Sequence, residues 1–334
     1  MSSRALIISA QEYKTFPALK GPDADATAFE KWLKNADPSC QIEIVKGQAG
    51  NAGTPTFSEV NLAISRWAAE KRANRGRPIA KRGYIYYSGH GIAPAPDDAQ
   101  MVTAEANHEA LFGVSGRAIA NYLEKGGFFE ELVLIMDCCR DDSPSAPIPF
   151  LLTPIDDPLP KGTKRFMAFA TSFPLKSKEQ KVPPRNDVRG LFTVALIEGL
   201  EGKAPRSSSG AITGKSINDY VLNRLPDLIA SNPVNGLNAR AQSPKFEPAD
   251  SDMAFGTTAV PGQKIVITFR NDQVGHRIRV LFGANRVVAE TTVLGATWEV
   301  PLDSGIYFVI DVDSTDLADQ KPARLVGEDT HVIF

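Results

Sequence analysis

Cysteine is scarce in this chain: three residues in 334, Cys40, Cys138 and Cys139. The count is odd and two of the three are adjacent, which is a poor basis for a disulfide framework. So few thiols fit a reducing compartment, so a cytoplasmic location is expected, and there a cysteine serves chemistry more readily than cross-linking. Long apolar runs are missing too. None approaches the roughly 18 residues that argue for a helix crossing a membrane. The first apolar run, inside MSSRALIISAQEY, spans five residues. That falls short of the apolar core of a secretory leader, about 7–15 residues, and reads as a strand. Charge of one sign is absent as well: 37 basic against 39 acidic residues leave a formal net charge of −2. Nothing in that balance recommends nucleic acid or an anionic membrane as a partner. There is no internal repeat, and no low-complexity tract beyond Ser207–Ser209.

What is present is an apolar fraction of 43% beside 23% charged residues, ordinary for a globular protein with a sizeable core. The length leaves room for two domains. Two stretches organise the chain: Arg82–Gly91 (RGYIYYSGHG) and Leu132–Asp142 (LVLIMDCCRDD). Each is a short β-branched or aromatic run that stops abruptly in polar, reactive residues. Such runs read as buried strands of a parallel sheet, and ligands of open α/β sheets bind just beyond the carboxyl ends of the strands.

The rest of the first 230 residues alternates strand and helix. Strands are expected at Arg4–Ser9, Gln41–Val45 and Arg165–Thr171, with a short one at MVTAE. Helices are expected at Pro22–Lys34, Phe57–Ala73, Ser115–Lys125, Gly190–Leu200 and Ser216–Ile229. Their apolar residues fall at helical spacing, as in Ala26, Phe29 and Leu33, or Ile217, Val221, Leu225 and Leu228. Asp141–Lys164 and Phe173–Arg189, rich in Pro and charge, read as exposed loops. This alternation argues for a mostly parallel sheet flanked by helices. From Val260 onward the helical period vanishes. Seven short runs (Ile265–Phe269, Arg277–Phe282, Val287–Val293, Thr297–Leu302, Gly305–Val312, Ala323–Val326 and His331–Phe334) are separated by turn residues. They predict a small antiparallel, immunoglobulin-like β-sandwich. The expected domains are 1–256 and 260–334.

Strand geometry sorts the reactive residues. Side chains alternate faces with period two, so Ser88 and His90 share a face, as do Asp137 and Cys139, while Cys138 points the other way. A thiol nucleophile needs a base, and histidine is the usual one. Cys139 is therefore the candidate nucleophile, His90 its base, and Cys138 a core residue that packs as a small apolar group. His108, His276 and His331 follow no comparable strand and read as surface or packing residues.

With those residues in view, the chain resembles the caspase-like cysteine peptidases, most of all their metacaspase and bacterial branch. The histidine motif is matched by Gly89-His90-Gly91, and the Asp-x-Cys motif by Asp137-Cys138-Cys139. Leu19–Ala26 (LKGPDADA), Gly190–Gly202 (GLFTVALIEGLEG) and Gln242–Pro244 (QSP) are similar to three further family segments. The five occur in the family's order and cover roughly residues 1–256; the β-rich end lies outside them.

The resemblance implies peptide-bond cleavage by a Cys139/His90 dyad, with the backbone N–H groups of Gly91 and Cys139 as the oxyanion hole. It implies an acidic pocket formed by Asp25, Ser88 and Asp137, hence cleavage after Arg, then Lys, and not after Asp. No metal or organic cofactor is required for that chemistry. Calcium dependence stays open: Asp97-Asp98, Asp141-Asp142 and Asp156-Asp157 could supply oxygens, but no spacing fits a calcium loop. One departure stands out, since the family commonly continues Asp-x-Cys with His-Ser-Gly and this chain has Arg140-Asp141-Asp142. Read bottom-up, Asp25 has a rival role as a carboxylate at a helix N-terminus, and Asp137 as a strand-end carboxylate capping a loop. The basic stretch 161–189 is the expected place for self-cleavage. The expected partners are a protein or peptide substrate and a regulatory protein docking on the β-domain. The rival function is a catalytically silent caspase-fold protein that signals or assembles through that domain.

Overall fold

Along the chain the elements run β1 (Arg4–Ser9), α1 (Pro22–Ala36), β2 (Gln41–Lys46), α2 (Phe57–Ala73), β3 (Ala80–Ser88), β4 (Gly91–Ala93), β5 (Gln100–Val102), β6 (Gly113–Ser115), α3 (Gly116–Lys125), β7 (Phe129–Asp137), β8 (Asp141–Asp142) and β9 (Lys164–Phe169). They continue with β10 (Glu179–Val182), β11 (Asp187–Gly190), α4 (Leu191–Glu198), β12 (Ile212–Thr213), α5 (Gly214–Ala230), β13 (Lys245–Glu247) and β14 (Ala254–Gly256). This computed structural model describes residues 3–47, 53–107, 109, 111–142, 162–182, 187–205, 211–230, 242–256, 264–282, 286–302, 305–325 and 329–334. The chain divides into two compact units, Met1–Ile197 with Leu225–Met253, and Glu198–Arg224 with Ala254–Phe334.

The first unit is built on a six-stranded sheet in the order β13-β9-β7-β3-β1-β2. All neighbours are parallel except the edge strand β13, which runs antiparallel to β9. The central strands β3 and β7 are buried along their carboxyl-terminal halves, which is why they read as unbroken apolar runs rather than alternating ones. Helix ends carry recognisable local signals. Pro22 opens α1 with Asp23 and Asp25 in its first turn. Thr56 and Glu59 form a reciprocal capping box on α2, and the Ser115 side chain accepts from the Ala118 N–H to start α3.

Register decides where the chemistry sits. Ser88 is the Cα partner of both Ser9 and Asp137, so β1, β3 and β7 end level with one another. Just beyond, β4 and β8 pair in parallel, Ile92 opposite Asp141, within a small sheet ordered β6-β5-β4-β8. That pairing pins together the two segments that immediately follow His90 and Cys139.

The structure differs from expectation at Phe173–Arg189. Rather than a plain loop, it contains an antiparallel hairpin, β10 with β11, registered from Glu179 opposite Gly190 to Val182 opposite Asp187. Its strands are short and polar and carry no alternation to read. They are held by tertiary contacts, since the Glu179 carboxylate accepts from the N–H groups of Lys20 and Gly21 at the start of α1. Local propensity yields to such context. Asp141–Asp142 likewise form a two-residue strand where a loop was expected, and residues 143–161 lie outside the described ones.

In the second unit, β12 pairs with β14. The seven expected runs are all strands: β15 (Lys264–Thr268), β16 (Arg277–Phe282), β17 (Arg286–Thr292), β18 (Thr297–Pro301), β19 (Gly305–Asp311), β20 (Gln320–Leu325) and β21 (Thr330–Ile333). They form a three-stranded sheet, β18-β15-β21, and a four-stranded one, β17-β16-β19-β20. Ile265, Ile267, Ile278, Val280, Val309 and Leu325 build their shared core. Two details depart from a purely antiparallel, evenly alternating sandwich. β15 and β21 run parallel; they are far apart in sequence, so no hairpin dictates their direction. In β16 the buried positions are Ile278 and Val280, while Phe282 at the strand's end is 43% exposed; the register with β17 shifts there, the extra residue being Val288 of β17.

Candidate active site

His90 stands two residues beyond the last residue of β3 and is held at both ends of its own backbone. Its N–H donates to the Tyr13 hydroxyl at 2.8 Å, and its carbonyl accepts from the Tyr87 hydroxyl at 2.5 Å. Tyr13 in turn donates to the Ala10 carbonyl at 3.1 Å, and burial pushes its phenol well above the ordinary value, so it stays neutral. A Cβ on Gly89 would meet both tyrosine hydroxyls, at 2.5 and 2.8 Å; only glycine fits there. The imidazole Nε2 lies 2.8 Å from the Pro17 carbonyl. A carbonyl only accepts, so Nε2 carries the proton and Nδ1 keeps the lone pair.

The two adjacent cysteines part company as strand alternation requires. Cys138 is buried in the core between the sheet and its helices, while Cys139 is half-buried and lines a cavity. Gly91 packs directly on them: a Cβ there would stand 2.5 Å from Cys138 Sγ and 2.6 Å from the Cys139 carbonyl oxygen. The Cys139 thiol donates to the Ser177 carbonyl at 3.9 Å. Burial pushes that thiol above its ordinary value, and the charge on Asp141 adds to the rise. Arg140, the departure from the family's motif, is fully buried. Its guanidinium donates to the carbonyls of Asp98, Pro96 and Thr171 at 3.0, 2.5 and 3.4 Å and lies 4.8 Å from the centre of the Phe169 ring.

The cavity, about 180 Å³, brings together Asp25, Ser88, His90, Asp137 and Cys139. Gly190, Ser177, Lys178 and Glu179 also line it. Each aspartate is already ordered by neighbours. Asp137 accepts from the Ser177 hydroxyl at 2.8 Å on one oxygen, and from the Thr193 hydroxyl at 2.7 Å on the other. Thr193 also donates its N–H to that second oxygen, so Asp137 caps the start of α4 as well as facing the cavity. Burial raises its pKa, and the Thr193 and Ser177 donors pull it back. Asp25, 1% exposed, receives Arg189 Nε at 2.5 Å on Oδ1 and the Gly190 N–H at 2.8 Å on Oδ2. Burial, and after it the charge on Asp137, push Asp25 up to about 8, while Arg189 pulls it down. Gly190 sits between the carboxylates: a Cβ there would strike Asp137 Oδ2 and stand 2.8 Å from Asp25 Oδ2.

Thus Asp25, Ser88, His90, Asp137 and Cys139 converge, with Gly91 against the cysteine backbone. Sequence reasoning missed Pro17, Tyr13, Ser177, Glu179, Arg189 and the direct role of Gly190 and Thr193. The last two stood in the matched Gly-x-Phe-Thr segment, so the signal was present but its target was not; a carbonyl acceptor such as Pro17's leaves no signal at all. Elsewhere, Asp97 pairs with Arg117 and Asp141 with Lys176, while Asp156, Asp157 and His108 lie outside the described residues. Among the described residues, no group of three or more His, Cys, Asp or Glu is arranged to hold a metal ion. His276 pairs with the buried Asp311 at 2.8 Å, and His331 is exposed on β21.

A family model described as the caspase domain matches residues 2–263. The chain belongs to the caspase domain family. This is a family of cysteine peptidases, hydrolases whose substrates are proteins. Compared with curated proteins, the chain finds no match. Two solved structures are similar to it: one titled pro-sf-caspase-1 and the other caspase-1 from Spodoptera frugiperda. Both are 12% identical and cover 77% of this chain; they are covered over 91% and 90% of their own length, with TM-scores of 0.44 and 0.47. In this caspase domain the match ends close to the start of β15, so the seven C-terminal strands lie beyond it.

Proposed function

We propose that this caspase-domain protein is a cysteine endopeptidase that cleaves after Arg, then Lys, in the manner of the metacaspase branch. The observation that carries the reading is one cavity lined by His90 and Cys139 together with Asp25 and Asp137. Nδ1 of His90, left basic by the Nε2–Pro17 contact, accepts the proton of Cys139; the thiolate attacks the peptide carbonyl; His90 returns the proton to the departing amine. Water then hydrolyses the thioester, with His90 again taking and returning a proton. N–H groups of Gly91 and Cys139 stabilise the oxyanion, and the carboxylates receive the guanidinium or ammonium of the residue before the cut bond.

The thiol's bond to Ser177 and its raised pKa support a resting form that is latent and an activity that is regulated; a cytoplasmic setting is proposed for it. The basic residues between 161 and 189 are suited to self-cleavage by an enzyme of this preference, and the C-terminal strands to docking a regulator. The test is release of a fluorescent group from peptides ending in Arg, Lys or Asp, with and without calcium, for wild type, Cys139→Ala and Cys138→Ala. Activity on Arg and Lys that is lost in Cys139→Ala and kept in Cys138→Ala is the expected result. Cleavage after Asp refutes the basic pocket. Absence of cleavage, of peptides and of the chain itself, leaves a latent enzyme awaiting its trigger or the silent signalling protein.

A further inference from the structure

We propose that Arg189 is the positioning residue of the pocket: it pairs with Asp25 from outside the cavity and holds that carboxyl group ready to ionise for a single incoming cation. This rests on reading the cavity as the seat of a basic side chain.

Asp25 is a carboxylate removed from water in the first turn of α1. A buried carboxylate without a partner takes up a proton rather than remain charged. A second carboxylate nearby makes this worse, because two close buried charges of one sign do not both persist. Asp137 is that neighbour, on the other side of Gly190. The groups facing Asp25 are therefore Arg189 and the Gly190 N–H from β11, Asp137 from the end of β7, and Tyr86 of β3, whose hydroxyl meets Thr193 at 2.7 Å. Cys139, His90, Lys178 and Glu179 share the cavity. Of these, Arg189 alone makes an ion pair with Asp25.

Geometry separates this role from that of an internal plug. Asp25, Asp137 and Gly190 line the cavity and Arg189 does not. Its guanidinium engages Oδ1, while Oδ2 takes the Gly190 N–H on the cavity's wall. A carboxylate has about four lone-pair sites, so this arrangement leaves capacity for a substrate cation. The side chain is carried by a hairpin whose other strand is fixed to the start of α1 through Glu179. Arg189 thus meets Asp25 from a braced position.

The experiment compares wild type, Arg189→Gln and Arg189→Lys on paired peptides ending in Arg or in its uncharged isostere citrulline, across pH. The ratio of the two kcat/KM values cancels the titration of Cys139 and His90 and reports the pocket. In Arg189→Gln, KM for the Arg peptide rises about tenfold or more at neutral pH with kcat little changed, and the pH at which the Arg preference appears moves up by about one unit or more. Arg189→Lys restores most of the preference. An unchanged ratio overturns the proposal, and a lowered KM in Arg189→Gln overturns it in favour of a plug. If wild type cuts another peptide but no Arg peptide, the basic-pocket reading fails by itself; if it cuts none, the chain is latent or silent. Arg189 is then judged by carboxyl-carbon NMR titration of Asp25 in the Cys139→Ala protein, assigned with Asp25→Asn. A titration moved upward by Arg189→Gln supports the ion-pair role, and an unmoved one overturns it.

Discussion

The hydroxyl of Tyr13 accepts the backbone N–H of His90 at 2.8 Å, while the Tyr13 ring lies 4.7 Å from the imidazole, centre to centre. One side chain therefore fixes the histidine twice, by its peptide plane and by its ring face. Tyr13→Phe keeps the ring contact and deletes the acceptor. A buried N–H left without a partner costs about 1–3 kcal/mol, and the turn relieves it by moving. The expected outcome is a kcat lowered about tenfold or more with KM for Arg peptides nearly unchanged, measured beside a thermal melt that shows the protein still folded.

Gly190→Ala tests the pocket by steric means. The added methyl meets both carboxylates at once, and neither can retreat, since Asp137 is tied to Ser177 and Thr193 and Asp25 to Arg189. Displacing them by even an ångström is expected to cost on the order of 100-fold in kcat/KM for Arg and Lys peptides. Overpacking lowers stability by about 1–3 kcal/mol. Gly295→Ala, where an added Cβ finds nothing within 4 Å, serves as the neutral comparison.

Much of this site was legible before the fold was known, and the reason is periodicity. Two runs of aromatic and β-branched residues, ending at Ser88 and Asp137, set the strand faces, and the faces set Cys139 apart from Cys138. The β-rich end was equally legible, since turn residues mark each of its seven strands. The hairpin carrying Glu179, Arg189 and Gly190 was not. Its strands, EQKV and DVRG, have no apolar alternation, and what orders them is contact with α1 roughly 160 positions earlier, which no local pattern encodes. Pro17 meets His90, and Ser177 meets Cys139, through a carbonyl oxygen that every residue type possesses, while the Ser177 hydroxyl that reaches Asp137 sits in a segment with no periodic pattern to place it.

The resting state of the Cys139 thiol gives a prediction with a definite sign. Burial places the Cys139 thiol above its ordinary value, so at neutral pH less of it is thiolate than in a free cysteine, and the thiolate is the reactive form. Iodoacetamide should therefore alkylate Cys139 more slowly at neutral pH than a model thiol of the same exposure. The rate should keep climbing on the alkaline side rather than levelling near neutrality. Peptide mass mapping after timed quenching distinguishes Cys139 from Cys40 and Cys138. A plateau at neutral pH would show a preformed thiolate and remove the basis for latency.

Arg140 carries the largest stability effect expected near the site. A guanidinium with no exposure is held by three carbonyl groups and the face of Phe169, with no carboxylate within salt-bridge distance among the described residues. Burial lowers its pKa from the ordinary arginine value, yet arginine remains a cation at working pH. Its donors join the 96–98 turn to the segment after β9, and its own N–H donates to the Leu175 carbonyl at 3.0 Å. The residue after Cys139 thus ties together the segments on either side of it. Arg140→Met fills similar space but strands the carbonyls, and is expected to lose about 3 kcal/mol or more in urea unfolding. Arg140→Lys keeps a cation but not the planar fork that reaches several acceptors, so it should recover only part of that stability. Activity on Arg peptides, measured well below the melting temperature of each variant, should fall with the loss of order around Cys139. If Arg140→Met unfolds at the wild-type urea concentration, the three carbonyl contacts do not anchor this turn.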